Sequence, residues 1–446
     1  MKKFAYLLGC IAFNLVLADS HGLLAILNSA RENDPGYKSQ QYRIKAEQLS
    51  SEIKMRSLYP TIQLSASGDI HNKIALGELK ASVPLLNYSR MTDQKTGLIA
   101  KQSSQLSELE LEQDYRISVT SAYFDLLSKN ALLNSQKSEL TRVQMNYDKT
   151  LSMQKSDLAS EVDTLSAKSN LDFTNIKVLE AQTNLRHARS NLKKMVNQPI
   201  DQLKSLDLDK VASLTVPSSE DILAMALTNN LSFLLIQKSL DKAYSELEKA
   251  NSKYYPDISL KVGSRHNLQN EFFDLSNKTK TATLSASLNL YNGGRDQLNV
   301  KANALKTFAA EDALSDFTYD LEVNSIKAVA DFKNTQLKRQ AAALSERSAM
   351  QKLNAMYEKR QAGQASELEL YSAITQATTA KNSHINASHN VIIKYLEVAK
   401  LAGNMDDDII KEIDQILGEE ISFDSSAHPS TASDHAAKLL SPKLAE

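Results

Sequence analysis

The sequence predicts a mainly α-helical fold built from one duplicated unit, in which a few short strands are the candidates for a transmembrane β-barrel portion. Three observations lead there. Pro is absent between residues 85 and 198 and between 257 and 428, so long helices meet no breaker. The chain matches itself at an offset of about 200 residues. Runs of about ten residues alternate apolar and polar, as tilted membrane strands do.

The first residues read as a secretory signal. Lys2 and Lys3 supply the positive region, Phe4 to Leu17 the apolar stretch, interrupted by Asn14, and Val16-Leu17-Ala18 the small-residue cleavage site. Cleavage before Asp19 removes Cys10, the only cysteine among 446 residues, which suits an oxidising compartment. Leu7-Leu8-Gly9-Cys10 is the competing reading, a lipoprotein cleavage site. It would leave a very short apolar region and strand Ile11–Leu17 in the mature chain. Without Lys2 and Lys3 the 52 basic and 53 acidic residues become 50 and 53, a net charge of −3 that offers nucleic acid no basic surface. No later apolar run is long enough for a membrane helix, so an exported chain of this kind would enter a bilayer by β-strands.

The repeat is an ordered series of matches. At an offset of 196, Ile26, Leu27, Ala30 and Asn33 meet Ile222, Leu223, Ala226 and Asn229, and Tyr59-Pro60 meets Tyr255-Pro256. At 205, Leu85, Asn87 and Arg90 meet Leu290, Asn292 and Arg295. At 206, Ala159-Ser160-Glu161 meets Ala365-Ser366-Glu367. A longer insertion between 265 and 280 accounts for the growing offset.

Each half reads helix, two strands, long helix, helix. A first helix from Leu23 to about Leu58 ends at Tyr59-Pro60. Ile62, Leu64 and Ala66 then alternate with Gln63, Ser65 and Ser67. After a turn at His71-Asn72-Lys73, Leu79, Ala81 and Val83 alternate with Glu78, Lys80 and Ser82. Ile258, Leu260 and Val262, then Ala282, Leu284 and Ala286, repeat the pattern in the second half. Tyr59, Tyr88, Tyr254, Tyr255 and Tyr291 sit near the strand ends, where interfacial aromatics belong. A soluble sheet packed on helices shows the same alternation. The helices separate the two readings. Ser89 to about Met153, and Arg295 to about Arg360, would each reach about 100 Å, a length suited to a tube or rod of coiled helices. Shorter helices are expected over 160–195, 219–254 and 366–402. Four strands cannot close a barrel alone, so an oligomer is implied, and three chains would supply twelve.

Three motifs then carry a resemblance that covers Leu23 to about Gly403. They are Leu24 through Pro35, the turn Leu290-Tyr291-Asn292-Gly293-Gly294-Arg295 with its weaker copy Leu85 through Arg90, and Tyr357 through Gly363 followed by Ser366-Glu367-Leu368-Glu369-Leu370 and Ala373. In order, and twice over, they resemble the TolC family of outer-membrane efflux proteins. The resemblance implies a homotrimer in the outer membrane of a Gram-negative bacterium. It further implies a twelve-stranded barrel above a periplasmic α-helical barrel with a closable iris, and a passive exit served by a periplasmic adaptor and an inner-membrane pump. The expected organisation is a signal peptide over 1–18, repeats over 19–218 (hairpin 61–86) and 219–403 (hairpin 257–291), an equatorial segment over 404–423 joined by the loop 195–218, and a disordered tail over 424–446. Asn292, Gly293, Gly294 and Arg295 would form the strand-to-helix hinge. Asp163, Glu369 and Glu367 match positions near the tunnel mouth, where three copies would make carboxylate rings. Ser372, Ala365 and Arg360 depart from the family's best-known closing contacts, so this iris would be held differently.

No catalytic constellation accompanies these features. The eight His are scattered. His384 and His389 are five apart, off one helical face, and no Glu pairs with them in a metal motif. No cofactor, metal or nucleic acid is expected, and no energy-coupling motif is present, so any drive must come from partners. The rival reading is a soluble periplasmic coiled-coil scaffold or adaptor. Drug efflux and protein secretion are not separated by the sequence.

Overall fold

The computed structural model describes residues 22–69, 74–267 and 278–423. The proposed signal peptide with Cys10, the turn at His71-Asn72-Lys73, the middle of the 265–280 insertion and the tail from Asp424 lie outside the described residues.

The chain begins as two helices, α1 (Leu23–Asn33) and α2 (Pro35–Met55), where one helix to Leu58 was expected. Local chemistry makes the break. Pro35 takes the first helical position, where a missing N–H is harmless, and the Asp34 carboxylate accepts the Gly36 N–H at 2.7 Å. Asp34 also accepts the hydroxyl of buried Tyr115 at 3.0 Å. The second half repeats the device. Helices α5 (Ser219–Asn229) and α6 (Leu231–Asn251) replace the single helix expected over 219–254, and the Asn230 side chain accepts the Phe233 N–H at 2.9 Å.

Between and after these pairs run β1 (Thr61–Asp69), β2 (Ile74–Leu86), α3 (Tyr88–Lys155), α4 (Glu161–Val196), β3 (Gln202–Leu206), β4 (Asp257–Asn267), β5 (Lys278–Ser287), α7 (Arg295–Gln361), α8 (Glu367–Ala402), α9 (Asp407–Gln415) and β6 (Leu417–Ser422). The second hairpin stops at Ser287 rather than 291. Pro256 lacks an N–H and β4 starts only at Asp257, which pairs with Ser287, so residues 288–291 have no strand to meet. At 68 and 67 residues, α3 and α7 each run about 100 Å.

Four strands form an antiparallel sheet in the order β1-β2-β4-β5. The helices keep that order beneath it. Near the sheet, α2 packs on α3, α3 on α6, and α6 on α7; farther down, α4 packs on α3, α3 on α8, and α8 on α7. The helices thus form a wall, with α2 and α4 along one margin and α7 along the other.

The main core lies part-way along the wall, where α1, α3, α4, α8 and α9 meet the small β3–β6 sheet. Leu27, Tyr123, Phe124, Leu126, Leu192, Leu203, Ile392, Leu396 and Ile410 are buried there. An ion cluster closes its rim. Arg31 of α1 reaches Glu112 at 2.6 Å and Asp407 at 2.8 Å, and Arg116 reaches Asp407 at 2.9 Å and the Met405 carbonyl at 2.6 Å. Gly403 ends α8 with φ +79°, and a Cβ there would fall 2.4 Å from the Asn229 backbone. That glycine lets the end of α8 lie against the α5–α6 break.

Candidate functional site

Three places carry the functional features: the sheet, the strand-to-helix turns beside it, and the helix–helix turns at the far end.

Register aligns the aliphatic side chains of the sheet on one face. Leu64 faces Leu79, Ile62 faces Ala81, Ala81 faces Val262, Val262 faces Ala282, Val83 faces Leu260, and Leu260 faces Leu284. The opposite face carries Gln63, Lys80, Ser82, Lys261, Thr283 and Ser285, with Glu78 bridged to Lys80 at 2.5 Å and to Arg265 at 3.2 Å. Among the described residues no helix lies across either face. Leu64 is 79 % exposed, Ile62 75 % and Leu284 67 %. Strand lengths of 9, 13, 11 and 10 residues match tilted membrane strands. At the helical end of the sheet stand Tyr59, Tyr88, Tyr254, Tyr255 and Tyr291, all exposed, with the rings of Tyr88 and Tyr255 4.3 Å apart. An aliphatic band bordered by tyrosines is the surface a bilayer takes.

The predicted hinge residues come together at the start of α7. Gly293 (φ +74°) and Gly294 (φ +77°) both occupy the left-handed region, which any Cβ disfavours. Asn292 accepts the Asp296 N–H at 3.3 Å, and the Arg295 guanidinium donates to the Asn292 carbonyl at 3.2 Å. The weaker copy is built differently. Asn87 caps α3 by accepting the Arg90 N–H at 2.8 Å, and the Arg90 guanidinium donates to the Ser57 carbonyl at 3.0 Å.

The α3–α4 and α7–α8 turns have one structure. Asp157 (φ 54°) and Gly363 (φ 72°) are both left-handed, and the next N–H in each turn, of Leu158 and Gln364, reaches back to Met153 or Lys359 at 2.8 Å. Each following helix opens with a capping box. Ser160 accepts the Asp163 N–H at 3.1 Å while Asp163 accepts the Ser160 N–H at 3.1 Å. Ser366 accepts the Glu369 N–H at 3.3 Å while Glu369 accepts the Ser366 N–H at 2.7 Å. So Asp163 and Glu369 do local work that the sequence reading did not assign them, although Ser-x-x-Asp and Ser-x-x-Glu are legible signals. Hydrogen bonds from the Ser160 hydroxyl and N–H hold the Asp163 pKa below its ordinary value. The Ser366 N–H and hydroxyl do the same for Glu369, helped by Lys149 of α3 and Lys359 of α7. Glu367 opens α8, and its side chain lies outside the described residues.

Outside any local motif, His384 finds a carboxylate partner in the fold: its Nδ1 lies 2.6 Å from Glu346 of α7. Among the described residues no cluster of His, Cys, Asp and Glu could hold a metal, and no helix is long and apolar enough to cross a membrane.

Comparison with known proteins agrees with this geometry. Residues 222–404 match the family model described as outer membrane efflux protein. The outer membrane protein TolC of Vibrio cholerae is 22 % identical over 413 residues, covering 88 % of this chain and 93 % of the relative. The chain is thus similar to the TolC outer-membrane proteins along most of its length, and its second repeat matches the efflux-protein family. The CmeC outer membrane channel of Campylobacter jejuni shares its fold with a TM-score of 0.68 at 17 % identity, covering 89 % of this chain and 90 % of that one. The open-state MtrE outer membrane channel of Neisseria gonorrhoeae shares it with a TM-score of 0.67 at 16 % identity, covering 86 % and 89 %. The chain is therefore an outer-membrane efflux channel protein with a periplasmic extension, and the family that it matches is one of channels.

The capping boxes make a testable claim about pH. Both carboxyl pKa values are lowered, so the caps are complete above the ordinary carboxylate range and are lost only as pH falls through the lowered values. Amide exchange at the start of α8 should therefore be unchanged between pH 7 and pH 5 after correction for intrinsic rates. Ser366→Ala should speed it about fivefold at both.

Proposed function

We propose that three copies of this chain close into one membrane barrel and one helical tube, a passive exit for substrates handed over by an inner-membrane pump through a periplasmic adaptor. The sheet is the observation that supports this reading most strongly. Its aliphatic face is uncovered, and among the described residues its edges, β1 and β5, are unpaired. Burying six exposed side chains such as Ile62, Leu64, Leu79, Val262, Leu284 and Leu288 in lipid is worth on the order of 10 kcal/mol. Pairing β5 of one copy with β1 of the next satisfies both edges, and three copies of four strands make twelve.

The helices support the same ring. The margin below β5 is α7, with Leu305, Phe308, Val323 and Ile326 exposed. The margin below β1 is α2 and α4, with Leu49, Ile53, Leu165, Phe173 and Ile176 exposed. A head-to-tail contact that pairs the strand edges also brings these margins together, and such contacts close into cyclic rings. A soluble scaffold would need an element to cover the aliphatic sheet face, and among the described residues no helix does so.

Within this ring, each repeat spans one hairpin and one helical arm. Gly293 and Gly294 bend the β5 side of the barrel into the tube. The α3–α4 and α7–α8 turns form the periplasmic mouth, whose helix pairs offer grooves to an adaptor helix. Asp163 and Glu369 stay ionised through their caps while remaining solvent-exposed, so they can both cap their helices and ring the mouth, with Glu367 as a third candidate.

Two experiments separate these parts. Leu64→Asp or Leu284→Asp should prevent membrane insertion, whereas Thr283→Asp on the polar face should still require detergent for extraction; equal behaviour of the two faces would contradict the barrel. Glu369→Gln keeps the capping box, because Gln caps in the same way, and removes the charge. In planar bilayers it should lower cation preference, read as a reversal potential closer to zero in a salt gradient, and an unchanged potential would remove Glu369 from the filter.

A further inference from the structure

The contact between α8 and its neighbours changes character along its length. Toward the main core it is aliphatic, with Val391, Ile392 and Leu396 fully buried. Toward the mouth it rests on Ala373 and Ala377, both buried. Between them the inward positions are polar. His384 is 6 % exposed, with Nδ1 on Glu346 of α7 and Nε2 without a partner. Ser388 is wholly buried and its hydroxyl has no partner. His389 is 5 % exposed; its Nδ1 lies 2.8 Å from the Ser128 hydroxyl of α3, and its ring centroid lies 4.7 Å from that of Phe124. Unpaired buried polar atoms make this the least favourable stretch of the joint.

We propose that the Ser128–His389 contact is a proton-sensitive latch between α3 and α8, closed while the imidazole is neutral and released when it takes up a proton. The neutral ring fits: one nitrogen shares a hydrogen bond with Ser128 and the face stacks on Phe124. The imidazolium would bury a full charge, and with both nitrogens obliged to donate it could no longer accept from the Ser128 hydroxyl.

Among the described residues, the charged groups on the elements packed around the ring are engaged elsewhere. On α3, Asp125 pairs with Lys129 at 3.5 Å. On α7, Glu346 is engaged by His384, and Arg339 donates to the Leu208 carbonyl at 3.4 Å. On α8, Lys394 pairs with Glu397 at 2.6 Å. Helix α5 also touches α8, and the Asp221 carboxylate at its start accepts the Ser218 hydroxyl at 2.9 Å; in the neighbouring 3-10 turn Lys210 lies 3.6 Å from Asp207. Burial accordingly pushes the His389 pKa from 6.5 down to about 3. With the packed-state value lowered, the released state binds the proton more tightly. The latch is therefore intact above about pH 6.5 and weakens about tenfold per pH unit below it, until the packed ring itself titrates. Release would be confined to the middle of α8, because Glu346 still ties it to α7 and Val391, Ile392 and Leu396 still anchor it in the core. If the chain lines a tube, as proposed above, the wall below the core loosens in acid.

The test is hydrogen exchange on the full-length protein in detergent at pH 7.5 and pH 5.0, corrected for intrinsic rates, and it does not depend on channel activity. In the native protein the opening of residues 384–392 should rise about 30-fold between those values, with α6 unchanged. His389→Gln retains a partner for Ser128 and cannot titrate, so its exchange should be the same at both. A native protein whose α8 exchange does not rise overturns the latch, as does an equal rise in His389→Gln. Should that variant not fold, NMR of isotopically labelled histidine in the native protein decides: His389 should remain neutral at pH 5.0 while the opening of residues 384–392 rises, and a His389 that is protonated at pH 5.0 with α8 still protected overturns the proposal.

Discussion

The aliphatic face of the β1-β2-β4-β5 sheet must leave water, and among the described residues no helix removes it. Most of the architecture follows from that constraint. A helix laid across the face would have produced a soluble domain, but among the described residues the helices run away from the sheet or pack on one another below it. In the proposed ring the face is left to lipid and the edges to other copies. Tyrosines at the strand ends and glycines at the turn into α7 then mark where the membrane surface stops and the tube begins.

Below that level stability is distributed unevenly. Long faces of α4 and α7 in the wall remain exposed. The aliphatic core around Leu27, Tyr123, Leu192 and Ile392 holds the middle, with the Arg31–Glu112–Arg116–Asp407 cluster at its rim. Toward the mouth the packing residues shrink to alanines and a small cluster around Leu353, and the helix ends rely on capping boxes. A firm middle and weakly packed lower arms form a structure whose mouth can rearrange without disturbing its membrane end.

What the sequence disclosed and what it hid divide along local and tertiary lines. Long helices were legible because Pro is absent from them, and the strands because aliphatic and polar residues alternate; both signals are carried by near neighbours. The breaks at Asp34 and Asn230 were written locally too, yet an N-cap inside a continuous apolar pattern is easily read through. Asp163 and Glu369 stood out as acids near a turn, while their Ser partners three residues earlier passed unnoticed. The His384–Glu346 pair was beyond reach, since 38 residues and a helical turn separate its members. Likewise the arginine cluster gathers α1, α3 and α9 from opposite ends of the chain, and no spacing rule anticipates it.

The central claim is that several copies, and not one chain, complete the sheet. The most direct measurement is native mass spectrometry of the particle extracted from membranes in detergent. The expected result is a single species of three copies that resists dilution and is lost from solution when detergent is removed. A monomer that stays dispersed in plain buffer would contradict it, because that chain would have found its own cover for Leu64 and Leu284.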